Sequence, residues 1–160
     1  MTAPTHLMAP RPQADRLRPE EFPLKEQLQA RYGDMDVNGH LNNLALEALH
    51  EDMRARLNRT VFPDIYDVAT RGLRLVTAQN VVHFLAEAHW PALVDAGAGV
   101  SAMGRSSITV STALFIDGRC VSVCDTALVV VGPTGPEEIP DAQRAVLQSL
   151  LVSSLLPPST

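Results

Sequence analysis

The sequence predicts an α+β domain in which a curved antiparallel sheet wraps around one long central helix. Three observations carry this. The run Leu44 to Leu57 holds neither glycine nor proline and is long enough for a helix of several turns. Strand-like segments then follow one another from Leu73 to Val131, with no second long helix between them. Two of those segments meet at Asp117-Gly118, a pair whose tolerance of positive φ makes it a strong hairpin signal. One helix followed by strands on short connections makes an antiparallel meander, because parallel strands need long crossovers.

Taken in order, residues 1–23 are rich in proline and polar residues without periodicity, and read as a flexible arm ending at Pro23. Leu24 to Tyr32 alternates Leu24, Glu26, Leu28, Ala30 and Tyr32 with Lys25, Gln27, Gln29 and Arg31, the period of a half-buried strand. Gly33 to Gly39 turns the chain into the helix. There Leu41, Leu44, Ala45, Ala48, Leu49 and Ala55 form a wide apolar stripe, and Glu51 precedes Arg54 at a spacing that makes them neighbours.

Residues 58–72 read as a connection punctuated by Pro63 and Gly72. Leu73–Thr77 and Val81–Ala88 read as one long strand with an irregularity near Ala78-Gln79-Asn80, broken at Trp90-Pro91. A strand of small residues spans Ala92–Ala102, and Ser106–Ile116 and Arg119–Val131 form the hairpin. Gly132 to Pro136 ends the sheet. Asp141 is placed to cap a final helix, Ala142 to Leu151. The division expected is an arm (1–23), one domain (24–152) and a tail (153–160).

Composition narrows the function. A net charge of −5 opposes a general nucleic-acid footprint, which needs a basic face. Twelve of the 13 basic residues are arginine, so any phosphate contact would be made by guanidinium groups. No apolar run reaches the roughly 18–20 residues needed to span a bilayer, and the N-terminus lacks the apolar core of a secretory signal. A cytoplasmic protein with reduced thiols is expected. Cys120 and Cys124, four apart in a strand, would share a face about 13 Å apart, too far to bridge, and lack the partners of a zinc site. No metal site and no cofactor are expected.

The richest stretch is Arg31-Tyr32-Gly33-Asp34-Met35-Asp36-Val37-Asn38-Gly39-His40-Leu41-Asn42-Asn43. It packs two carboxylates, a histidine and three asparagines just ahead of a helix start. The first-turn N–H groups and the positive end of the helix dipole favour negative charge developing there. A carbonyl docked at that point would be polarised, with a carboxylate or imidazole in reach of its carbon.

These residues resemble the signature of the hotdog-fold acyl thioesterases, in the branch related to 4-hydroxybenzoyl-CoA thioesterase. Glu51 and Arg54 match a Glu-x-x-Arg late in that family's helix. Val81 to Pro91 is similar to its central strand, and Met103-Gly104-Arg105-Ser106-Ser107 through Val131 to its closing hairpin. Asp36 to Asn43 is also similar to the Asp-x-Asn-x-His-Val-Asn-Asn stretch of plant-type acyl-ACP thioesterases.

The resemblance implies a hotdog fold and thioesterase activity on acyl-CoA or acyl-carrier-protein substrates, CoA entering only as part of the substrate. It implies Asp36 as nucleophile or general base, Asn38 and His40 as assisting groups, and backbone donors around Asn42 and Asn43 for the thioester oxygen. Arg105, Ser106 and Ser107 are candidates for CoA phosphates, and a homodimer or a tetramer made of dimers is implied. The alternatives are a non-catalytic acyl-CoA-binding or assembly protein and, less favoured, a hydratase. The hydratase motif places histidine five residues after aspartate with a proline between, whereas His40 lies four after Asp36 without one.

Overall fold

The structure is a computed structural model, and it describes residues 9–156. β1 (Leu24–Gln29) leads through a 3₁₀ turn at Tyr32–Asp34 into α1 (Asn43–Val61). β2 (Arg74–Phe84), β3 (Leu93–Met103), β4 (Ser107–Ile116) and β5 (Arg119–Gly132) follow, then a two-residue β6 (Gly135–Pro136) and α2 (Asp141–Ser149). The sheet is antiparallel, in the order β1-β3-β4-β5-β2, with β6 on β5.

α1 lies against β3, β4 and β5. Met53 and Leu57 are fully buried against Val94, Val100, Val110 and Leu114 from the inner face of the sheet. At about 1.5–3 kcal/mol for each fully buried large side chain, this contact holds the helix in the curve of the sheet. The predicted helix runs one turn further, to Val61, and ends just before Phe62-Pro63, where the residue before proline disfavours helical backbone.

The hairpin forms as its sequence dictates. Asp117 and Gly118 take φ of 51° and 75°, the two left-handed positions of a tight turn matched to strand twist. The irregularity expected near residue 78 is a register shift between Thr77 and Gln79 where β2 pairs with β5. A second shift, between Leu114 and Phe115, alters the expected geometry of the cysteines. Cys120 packs with Phe115 and Val123 on the outer face, whereas Cys124 is buried and meets Thr126 Oγ1. Both thiols are free.

Other boundaries differ. β1 stops at Gln29 because the Arg31–Asp34 contacts curl the chain into the 3₁₀ turn. β2 ends at Phe84, so Glu87 lies on the loop beyond it rather than on the strand. Asp141 is the first residue of α2 and Pro140 its N-cap, so no side-chain cap forms.

The described part of the expected flexible arm is docked. Phe22 is buried over Gly97, where any Cβ would lie 2.7 Å from it, and it meets Phe115 edge to face. Arg16 pairs with Asp125 at 2.6 Å, and buried Glu21 accepts from Ser154. Residues 1–8 of the arm and 157–160 of the tail lie outside the described residues. Among the described residues no helix is long and apolar enough to cross a membrane.

Candidate active site

The chain between β1 and α1 is pinned at both ends before it offers any chemistry. Asp34 is buried and accepts from the Arg31 backbone N–H at 2.8 Å and from its guanidinium at 2.8 Å. The Arg31 hydrogen bond, against some desolvation, holds the Asp34 carboxyl below its usual range. The carbonyl of Asp34 accepts from Asn42 N–H at 2.8 Å, and Leu41 N–H donates to the carbonyl of Ala88 at 2.7 Å.

Between these anchors residues 36–40 close on themselves. Asp36 N–H donates to the His40 carbonyl at 2.8 Å, and Gly39 N–H to the Asp36 carbonyl at 3.1 Å. Gly39 sits at φ 78°, a conformation glycine adopts without steric cost. Asp36 Oδ1 accepts from the backbone N–H groups of Asn38 (2.8 Å) and His40 (3.2 Å). Its Oδ2 has only the Asn38 amide, at 3.5 Å, and the side chain is exposed. Desolvation raises its pKa, but the two amides, the Asn38 side chain and, when protonated, the His40 ring together hold the carboxyl below its ordinary value. It is ionised at neutral pH, with one oxygen available.

Asn42 is the N-cap of α1, its Oδ1 accepting from Ala45 N–H at 2.7 Å, so its side chain and its own N–H are both engaged. Among the described residues the N–H groups of Asn43 and Leu44 have no acceptor. The backbone N–H groups free at the helix start are therefore those of Asn43 and Leu44, whereas that of Asn42 is engaged. Asp36, His40, Asn43, Leu46, Phe84 and Glu87 line a cavity of about 310 Å³ at this point.

Of the residues expected from sequence, the structure thus brings together Asp36, Asn38, His40, Asn42 and Asn43. Arg105, Ser106 and Ser107 lie elsewhere in the chain's own fold. Phe84, at the cavity, pairs with Ser122 of β5, whereas Ser107 pairs with Val129 of the same strand. Those seven residues of strand span about 23 Å. Arg105 there pairs with Glu138 at 3.3 Å. Arg54 is buried and donates to Thr126 Oγ1 while pairing with Glu51.

Glu87, His89 and His50 near the site were not legible beforehand. Glu87 Oε2 lies 3.4 Å from His40 Nε2 and 4.0 Å from His89 Nε2. His50, fully inside, bridges Thr112 Oγ1 (2.8 Å) and Ser122 Oγ (2.9 Å). Ser122 Oγ donates onward to the His83 carbonyl at 3.0 Å, so it accepts from Nε2–H, and Thr112 Oγ–H serves Nδ1. Desolvation, with the nearby Arg54 charge, pushes the His50 pKa down to about 3, and this imidazole stays neutral.

A single long helix clasped by an antiparallel sheet is the hotdog fold. The sequence profile of the Thioesterase-like superfamily matches residues 30–147, and the chain belongs to that family. A Pseudomonas aeruginosa protein (PA5185) superposes with a TM-score of 0.73 at 23% identity, over 84% of this chain and 96% of that one. A thioesterase from Thermus thermophilus, complexed with coenzyme A and Zn, gives 0.73 at 25% identity, over 82% and 96%. The DHNA-CoA thioesterase from Staphylococcus aureus gives 0.67 at 16% identity, over 79% and 91%. No curated protein sequence matches the chain. Family and neighbours together support thioester hydrolysis as the general chemistry.

Proposed function

We propose that this chain hydrolyses acyl-CoA thioesters to a free acid and CoA, with Asp36 as the catalytic carboxylate. The observation that carries the reading is the Asp36 carboxylate, ionised and with Oδ2 largely unengaged, sharing a cavity with the first turn of α1. A thioester has a good leaving group, so one positioned carboxylate and two amide donors suffice.

In the base-catalysed form, Asp36 takes a proton from water as its oxygen bonds to the thioester carbon. The carbonyl electrons move onto oxygen, facing the Asn43 and Leu44 amides. Collapse breaks the C–S bond, and the thiolate takes up a proton to leave as CoA. In the nucleophilic form, Asp36 attacks the carbonyl carbon, the C–S bond breaks with departure of the CoA thiolate, and water hydrolyses the resulting anhydride. Either form needs the ionised carboxylate that its amide partners maintain. His40, beside Glu87 at the rim, orients water or substrate. Asn38 holds the carboxylate.

CoA as the thiol is supported by the coenzyme A held in the Thermus thioesterase. The working unit is proposed to be a homodimer built on β2. This strand is a sheet edge of 11 residues, exposed from Val76 through Asn80, and such an edge is a template for a further strand. Antiparallel pairing of two β2 edges sets the start of one strand beside the end of the other. The Arg105–Ser107 turn of one copy is then carried towards the Asp36 cavity of the other, where it could meet CoA phosphates. Thiol release from short, long and aryl acyl-CoAs tests the substrate class. Turnover of at least one acyl-CoA is expected. Turnover confined to acyl-carrier-protein thioesters would move the substrate to the carrier, and none on either would sink the catalytic reading.

A further inference from the structure

We infer that His40, Glu87 and His89 form a binding site for a divalent transition-metal ion of the zinc class, at the rim of the Asp36 cavity. Each of the three places a ligand atom within 4.8 Å of the other two. Around a tetrahedral zinc, bonds of about 2.0–2.2 Å set neighbouring ligand atoms about 3.3–3.5 Å apart. The His40 Nε2 to Glu87 Oε2 separation, 3.4 Å, already has that value, and His89 Nε2, at 4.0 Å, needs only a small rotation of an exposed side chain.

The backbone around His89 suits a metal ligand. His89 Nδ1 lies 3.1 Å from the Gly39 carbonyl, an atom that can only accept, so Nδ1 carries the proton. In the neutral ring Nε2 is then the lone-pair nitrogen, 4.0 Å from Glu87 Oε2. A backbone carbonyl on the far nitrogen of a ligating histidine is also the usual means of fixing the tautomer that binds metal.

The surrounding backbone holds the ligands in register. Gly39, which orients His89, is the residue immediately before His40, so one peptide segment positions both rings, whose centroids are 4.9 Å apart. Leu41 N–H on the Ala88 carbonyl and Arg119 on the Glu87 carbonyl (2.9 Å) clamp the second loop. Two imidazoles and one carboxylate suit zinc, copper or nickel rather than calcium or magnesium, which prefer oxygen. The remaining coordination position is open to water.

The inference does not depend on thioester hydrolysis, because its test reads metal binding alone. Chelator-treated full-length protein is titrated with Zn²⁺ by calorimetry and with Co²⁺ by ligand-field absorption. One ion per chain is expected, with affinity at least about tenfold weaker in Glu87→Gln and in His89→Gln. His83→Gln, which alters a histidine on β2 outside the cluster, is expected to bind as the wild type does. Glu87 and His89 are exposed, and thermal melts verify that their variants remain folded. Absence of Zn²⁺ binding in the wild type overturns the assignment, as does binding unchanged by both substitutions.

Discussion

Taking the protein from about pH 7 to about pH 5 is expected to destabilise it by about 2 kcal/mol through His50 alone. The folded imidazole titrates near 3, against an ordinary value of 6.5, because it is buried between α1 and the hairpin with Arg54 close by. Below about pH 6.5 the unfolded chain gains a proton there that the folded chain refuses. The stability tied to neutral His50 is therefore complete above that pH and is lost as pH falls from about 6.5 towards 3. At pH 5 the medium lies about 1.5 units below the unfolded pKa, and each unit is worth about 1.4 kcal/mol, which gives the figure of about 2. Asp34, Asp36 and Asp67 are held below their ordinary value of 3.8. Their contributions are present above that value and are lost only as pH falls past it, so they act mostly below this window. Urea unfolding of the wild type and His50→Gln at both pH values measures the effect, since glutamine cannot titrate but can still hydrogen-bond Thr112 and Ser122. The wild type is expected to lose about 2 kcal/mol more than the variant on acidification. Equal losses in the two proteins would refute the reasoning.

Asn42→Ala removes the acceptor for Ala45 N–H and is expected to cost about 1 kcal/mol, read from denaturant midpoints. Burial raises the Cys120 thiol to about 11 and that of Cys124 upward too, so alkylation of the native protein near neutral pH is expected to be slow, and fast after unfolding. Val76→Glu places like charges on both β2 edges of the proposed dimer, and sedimentation is expected to show monomer at concentrations where the wild type is paired.

The parts of the fold that were legible in the sequence are those set by local chemistry. The unbroken helical run and Asp117-Gly118 each act over a few residues and form where expected, and the alternation from Leu24 gives a strand, although it stops at Gln29. The loop of the candidate site was legible for the same reason: Asp34, Asp36 and Asn42 bond backbone no more than four residues away, or close the loop they begin.

What was not legible depends on partners distant in sequence. His50, Arg54 and Asn58 recur every fourth residue on one face of α1 and are buried, although polar helix residues ordinarily mark the outer face. Their burial is possible because Thr112, Ser122, Thr126 and Tyr66 present hydroxyls to them across the fold. Residues 9–22 look like a free arm because Phe22 is an isolated aromatic, and the space over Gly97 that it fills exists only once β3 and β4 are paired. The grouping of His40, Glu87 and His89 likewise needs the Leu41–Ala88 hydrogen bond, which joins segments nearly fifty residues apart.

The most direct measurement of the central claim is kcat/KM for acyl-CoA hydrolysis by the wild type and Asp36→Asn. The amide oxygen of asparagine can still accept from Asn38 and His40, so the loop is kept while the charge is removed. A fall of about 10²-fold or more in a variant with an unchanged melting temperature is the predicted result. A folded Asp36→Asn protein that hydrolyses the same substrate within a few-fold of the wild-type rate would contradict it.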